Sequence, residues 1–290
     1  PSDFAYRGED PDAYRNTWFK ETNASEDDWS DLIGMLRVVG AEDEWTVENV
    51  RSVINVDEWM LYLAVMALFN NRETSPNTGH NDDYYMYAGA DDRRFHLLYY
   101  DLDTIISQGN TAGPTDGTIL GAAGMPAFAR LLEHPEFEAV YYRALQHLID
   151  AGFSEVQFNA LIRQTLEDYV PAQAIDAMIT WMNARRDFVQ SQINSRFPDG
   201  LPPAPTPLAA VLSNLPRSPT PLDTAEVRVG GREVARYRYR LDGAAFGPET
   251  AVDSPILLGG LPAGARVLEV IAGDAEGRWQ SESAPTAFSW

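Results

Sequence analysis

Residues 57–73, DEWMLYLAVMALFNNRE, and residues 82–103, DDYYMYAGADDRRFHLLYYDLD, decide how the chain reads. In the first, Trp59, Met60, Leu63, Ala64 and Ala67 recur at three- and four-residue spacing, which predicts a helix from Val56 to about Asn70, capped by Asn55 or Asp57. The polar run NNRETSPNTGHNDD that follows contains Pro76 and Gly79 and reads as a loop. In the second stretch, Tyr84–Ala88 and Arg94–Tyr100 are aromatic and apolar and flank Gly89, Ala90, Asp91 and Asp92, the pattern of a β-hairpin. Its second strand runs directly into Asp101-Leu102-Asp103. If the extension continues, the two carboxylates share a face about 6–7 Å apart.

Glu73 and Asn71 lie just past the helix, in the loop that precedes the hairpin. Hard oxygen ligands from two loops, with room for water and phosphate oxygens, are what a magnesium–nucleotide site requires. The order helix, polar loop, hairpin, Asp also parallels protein kinases, where a catalytic-loop side chain and a following Asp hold the metal ions. Against this stands a plainer reading. Acidic residues at strand ends and in loops are usually solvated, and the chain has 43 of them, so spacing alone leaves both readings open. Asp82-Asp83 and Asp91-Asp92 read as ordinary turn residues.

Farther on, QGNTAGPTDGT reads as a flexible loop, and helices return. Pro126–Glu133 and Pro135–Asp150 each open on a proline at the tolerated first helical position. Ser154-Glu155-Val156-Gln157 has the form of a capping box and opens a helix to about Tyr169. A long helix over about Ala172–Phe197 carries a core stripe of Ile175, Met178, Ile179, Met182, Val189 and Ile193. From Pro198 to Pro221 the proline-rich composition fits a semi-rigid linker. Beyond it Val227–Val229, Tyr237–Leu241, Pro255–Leu258 and Arg266–Ala272 read as short strands of a small sandwich. The expected fold is therefore α+β, mainly helical with one hairpin, followed by a small all-β module. The domains fall at 1–197 and 223–290, joined by a linker over 198–222.

Composition narrows the function. A net charge of −21 repels phosphate backbones and anionic membranes and argues against nucleic-acid partners. With no cysteine there is no disulfide, thiolate metal site or cysteine nucleophile. His80, His96, His134 and His147 form no zinc spacing, and neither GxSxG, GxGxxG nor GxxxxGK[ST] occurs. No run approaches a membrane span of about 18 apolar residues. The start, PSDFAYRGED, lacks both an initiator Met and a signal-peptide pattern, which reads as an interior cut in a longer chain.

The same two stretches resemble the signature of the CotH kinase family, approximately helix–N-x-D, then N-Y-Y-L-Y, then W-x-x-x-P-W-D-x-D. Asn71-Arg72-Glu73 falls on the first element, Asp83-Tyr84-Tyr85-Met86-Tyr87 on the second and Tyr99-Tyr100-Asp101-Leu102-Asp103 on the third. The upstream YRGEDPDAYRNTWFKETN and the helices after Ser107 also look like family sequence, so the resemblance covers roughly residues 1–197. It implies the C-terminal part of an atypical kinase fold whose N-terminal lobe is missing from this stretch. It also implies transfer of phosphate from ATP, with magnesium or manganese, to serine or threonine of a secreted or surface protein. Metal binding carries over to Asp101 and Glu73, with Asp103 in support. Asp101 and Glu73 are the implied catalytic pair, and Asn71, Asp83 and Tyr100 line the nucleotide side. Three positions depart from the family: Glu73 replaces an aspartate, Asp83 an asparagine, and Tyr99-Tyr100 a Pro-Trp pair. Those departures keep a second expectation in view, a non-catalytic surface or coat scaffold that retains the fold. The tail resembles immunoglobulin-like or fibronectin-like modules of extracellular proteins, with Tyr239, Leu241, Leu261, Leu268, Val270 and Trp279 expected in its core.

Overall fold

The computed structural model describes residues 3–74, 76, 83–89, 92–109, 112–203, 208–231, 233–275 and 277–290. The chain is mixed α+β and divides into two compact units, Pro1–Ala204 and Pro205–Trp290. The turn at Ala90-Asp91 and much of the predicted loop before the hairpin lie outside the described residues, as does part of the proline-rich stretch.

The first unit is built around α3, Val56–Leu68. Its sequence is apolar nearly all round, and Trp59, Met60, Tyr62, Leu63, Ala64, Met66, Ala67 and Leu68 are all buried, so it is a central helix whose solvent side is a narrow stripe of Asp57, Glu58 and Leu61. Asn55 caps it by accepting from the Glu58 N–H, and Asp57 and Glu58 lie in its first turn, where the helix dipole favours negative charge. Two shorter helices precede it, α1 (Ser30–Gly40) and α2 (Val47–Val53). After it come the antiparallel strands β1 (Tyr84–Ala88) and β2 (Phe95–Tyr99), in the register Tyr84 opposite Tyr99 and Ala88 opposite Phe95. The hairpin is fastened to the start of α3: the Phe95 carbonyl accepts from the Asn55 N–H at 3.1 Å and from the Trp59 indole at 2.8 Å.

Helices α4 (Pro126–Glu133), α5 (Pro135–Asp150), α6 (Glu155–Leu166) and α7 (Ala172–Arg196) complete the unit. Both prolines stand at the helix starts, as expected. Ser154 precedes α6 but its hydroxyl accepts no capping bond, so the capping-box pattern is present without the interaction. Phe4 is fully buried where the N-terminal segment meets the helices, with its ring against Trp18, Trp59, Tyr84 and Phe128.

One interior cation organises this packing. Arg185 of α7 is 0% exposed and donates to four carbonyls: Ala67 at 2.5 Å and Leu68 at 3.3 Å, at the C-terminus of α3, and Thr115 at 2.9 Å and Gly117 at 2.5 Å. The two α3 carbonyls lie in its last turn, where the helical ladder runs out of donors; Ala67 also accepts from the Asn70 N–H, and a cation placed there meets the negative end of the dipole. Burial still disfavours the charge and pushes the Arg185 pKa down to about 10, well above neutrality, so the group stays protonated.

The second unit holds two antiparallel sheets around one core. One sheet has the order β3 (Val211–Ser213), β4 (Ala225–Gly230), β7 (Ile256–Leu258). The other has the order β6 (Thr250–Ala251), β5 (Arg236–Leu241), β8 (Val267–Gly273), β9 (Thr286–Ser289). Strand β3 lies inside the stretch read as linker. It is a three-residue edge strand among prolines, too short to show alternation. Leu268 and Val270 are buried as expected, with Tyr239 and Leu241 partly buried against them. Trp279 is elsewhere: it presses on Gly273 and on the arginine face of β5, with Arg238 4.5 Å above its ring. The alternation RYRYRL places Arg236, Arg238 and Arg240 on that outer face, paired with Glu249 and Glu269, and turns the fully buried Tyr237 inward.

Two stability outcomes follow from this packing. Arg185→Met leaves four carbonyls short of a donor and should destabilise the first unit by about 3 kcal/mol or more in urea titrations, whereas Arg186→Met, on the same helix, should change it little. Tyr237→Ala should cost the second unit about 3–5 kcal/mol, read by its own tryptophan fluorescence after unfolding.

Candidate functional site

The site begins where α3 ends. Asn70 adopts a left-handed backbone (φ 46°), a conformation that asparagine tolerates better than other side chains. Its N–H donates to the Ala67 carbonyl at 3.0 Å, and the Asn71 N–H reaches the Met66 carbonyl at 2.9 Å. This pair of bonds is the Schellman termination, with asparagine where glycine is commoner. It turns the chain sharply, so that Asn71 is fully buried and its side-chain oxygen accepts from the Glu73 N–H at 2.9 Å and the Thr74 N–H at 3.0 Å. Thr74, also buried, shares a 2.9 Å hydrogen bond with the Tyr62 hydroxyl, whose pKa burial raises. Glu73 is thus held by its backbone while its carboxylate stays partly accessible.

The second arm is the loop after β2. Extension ends at Tyr99, which stacks on Tyr62 with ring centroids 4.8 Å apart. Asp101 then takes a left-handed φ of 49°. That turn breaks the strand-like spacing expected for Asp101 and Asp103, and both carboxylates are exposed. Thr104, 2% exposed, donates its hydroxyl to the Glu73 carboxylate. This contact joins the loop after α3 to the loop after β2.

A third strand of chain supports the first two. The Asn70 side-chain amide donates to the Pro114 carbonyl at 2.6 Å, and the Trp181 indole donates to the Gly113 carbonyl at 3.1 Å. A Cβ on Gly113 would lie 2.4 Å from the Asn70 carbonyl oxygen, and one on Gly117 would lie 2.2 Å from its side-chain nitrogen. The glycines of this stretch therefore allow close approach, and Arg185 holds the same stretch from the other side. The described part of a segment expected to be a flexible loop is pinned at Gly113, Pro114, Thr115 and Gly117.

The predicted residues separate accordingly. Glu73 and the Asp101–Thr104 segment come together through Thr104. Asn71, expected on the nucleotide side, is buried and shapes the turn. Tyr100 is exposed and packs edge-on against Tyr85, and Asp83 immediately precedes β1. Asp103 stands at the mouth of an apolar cavity. Asp92 is committed to the Arg94 guanidinium, which holds its carboxyl well below the usual range, in keeping with a turn residue. Among the described residues no group of three or more His, Cys, Asp or Glu side chains is arranged to hold a metal ion, so Glu73, Asp101 and Asp103 do not form the three-carboxylate set expected. The remaining donor chemistry, two hard carboxylates on adjoining loops, still fits magnesium, which is held through one or two carboxylates together with substrate phosphates.

Sequence reading missed Thr104 and Arg185. Nothing marks Thr104 beyond its place after Asp103. Arg185 did carry a signal: it occupies the core stripe of α7, three residues after Met182 and four before Val189.

Comparison with protein families gives a match to the model described as CotH kinase protein over residues 2–189. No curated protein and no solved structure matches the chain. No helix among the described residues is long and apolar enough to cross a membrane.

The close glycine contact supplies a direct check on this geometry. Gly113→Ala should displace Asn70 and destabilise the first unit by about 1–3 kcal/mol, because the obstacle is backbone. Gly124→Ala, where a Cβ meets nothing within 4 Å, should be close to neutral in the same urea titration.

Proposed function

Because the chain belongs to the CotH kinase protein family, we propose that its first unit is the C-terminal part of an ATP-dependent protein kinase acting on serine or threonine of a secreted or surface protein. The observation that carries this reading is the Glu73–Thr104 hydrogen bond, which sets the two loops bearing the family's acidic positions side by side. Asp101 is the chief metal ligand on this proposal and Glu73 the second ligand or base-like partner. Magnesium or manganese, when bound, supplies positive charge against the phosphates of ATP. The chain's own contribution is positioning. Asn71 fixes the Glu73 backbone, Thr104 orients its carboxylate, and the left-handed turn at Asp101 presents a second carboxylate to solvent. Tyr100 and Asp83 belong to the nucleotide side, and Asn71 acts behind it. The second unit serves as an immunoglobulin- or fibronectin-like module, a reading that its two sheets and shared core support. With it goes an extracellular or surface location.

A second reading, a scaffold that keeps the fold without turnover, is favoured by one specific observation. Asp103 lines an apolar cavity, and among the described residues no group of three carboxylates is arranged to hold a metal ion.

Ligand-dependent unfolding of the complete protein separates the two readings. For the kinase, millimolar magnesium or manganese should raise the melting temperature by binding the folded state alone, and ATP should add to the shift only when metal is present. Asp101→Ala should abolish both shifts and any phosphate transfer. Asp168→Ala, on an exposed residue beyond α6, should abolish neither. A metal shift with no ATP increment supports the scaffold, and no response to either ligand ends the kinase reading.

A further inference from the structure

Beside the loop that carries Asp101 lies a cavity of about 360 Å³. Its walls come from two directions. Leu102, Ile105 and Ile106 face it from the loop, and Phe158, Ile162 and Met178 face it from α6 and α7. Asp103 is the one charged residue among those lining it, and no described residue gives its carboxylate an ion pair or hydrogen bond.

The loop wall is strained. Ile106 and Ser107 both have left-handed backbones, φ 54° and 62°, and a β-branched residue in that region is a true outlier. The segment is nevertheless closed tightly: the Gln108 N–H donates to the Ile105 carbonyl at 2.9 Å, and Gly109 packs so near Thr104 that a Cβ would lie 2.5 Å from its methyl group. Outliers of this kind persist where the surroundings over-determine them, and they concentrate at ligand clamps. The volume falls within the roughly 300–1,000 Å³ of small-molecule sites, which combine apolar walls with a few placed polar groups.

We propose that this cavity is a binding site for a small hydrophobic ammonium compound, with its hydrocarbon body between the loop and α6 and its cationic head at Asp103. Charge selects the class. A carboxylate without a protein partner at an apolar mouth favours a cation over a neutral head and disfavours an anion, and the net charge of −21 adds to that preference at long range. The site is separate from Glu73 and Asp101 and does not depend on the kinase reading.

Three probes with one chain and different heads, decylammonium, decanol and decanoate, test this by calorimetric titration of the intact chain below micelle-forming concentrations, with methyl NMR shifts of Ile106 and Ile162 to place them. Decylammonium should bind about tenfold more tightly than decanol, and decanoate more weakly still, while shifting those methyl groups. Asp103→Asn should bring the ammonium and alcohol affinities together. Leu161→Gln, at a wall position 59% exposed and so safe for folding, should weaken both without closing the gap between them. Equal affinity for all three probes, shifts confined to other residues, a preference that survives Asp103→Asn, or no binding would each overturn the proposal.

Discussion

A guanidinium enclosed on all sides must find acceptors, and Arg185 finds them in four carbonyls from two parts of the chain that are not neighbours in sequence. It has no carboxylate partner among them. What favours the charge is the end of α3, where carbonyls of the last turn and the helix dipole offer negative potential in a fixed direction, together with the nearby Asp116 carboxylate. This ties the longest helix of the unit to the termination of its central helix, and the glycine-bearing stretch at 113–117 is caught between them. The same device recurs with Arg130, whose guanidinium takes the carbonyls of Val39, Gly40 and Ala41 at the end of α1. Two helix ends in one unit are thus closed by arginines from other helices.

The candidate site inherits its shape from that closure. Asn70 is held in a left-handed turn by the Schellman bonds and by Pro114, Asn71 is buried beneath it, and Glu73 emerges two residues later. The carboxylate that matters to the functional reading is therefore placed by groups that carry no catalytic chemistry. Thr104 then sets the loop after β2 against it. The result is a polar edge resting on buried Asn71, Thr74 and Arg185.

Much of the fold was legible because apolar periodicity and turn chemistry agreed. The Val56 helix, the hairpin, and the two helices opening on Pro126 and Pro135 all have cues at both ends. Helix α1 gave no such cue: Trp29 precedes it without a side-chain cap, and Gly34 interrupts its middle. Helix α2 is only seven residues long, too short for a period to emerge. The site was partly legible, since the loops bearing Glu73 and Asp101 do meet. Its assembly was not, because a backbone dihedral decides it. Alternation in sequence assumes an extended chain, and the left-handed φ at Asp101 ends that assumption two residues before Asp103. A buried arginine is hidden for a related reason. The helical pattern records which face a residue occupies, and charge at a core position looks like an interruption until its acceptors are seen.

The strand RYRYRL in the second unit has one more consequence. Its arginines meet Glu249, Glu269, Trp279 and Phe246 on one side, and Tyr237 lies in the core on the other. A slip of one residue against β8 would exchange the faces, driving guanidinium groups into the hydrocarbon interior and lifting the tyrosines into water. Each misregistered pairing is therefore penalised twice, by desolvated charge inside and by stranded carboxylates outside. In this strand the cations guard the alignment of the sheet, and a surface ladder of modest worth for stability becomes a proofreading device during folding.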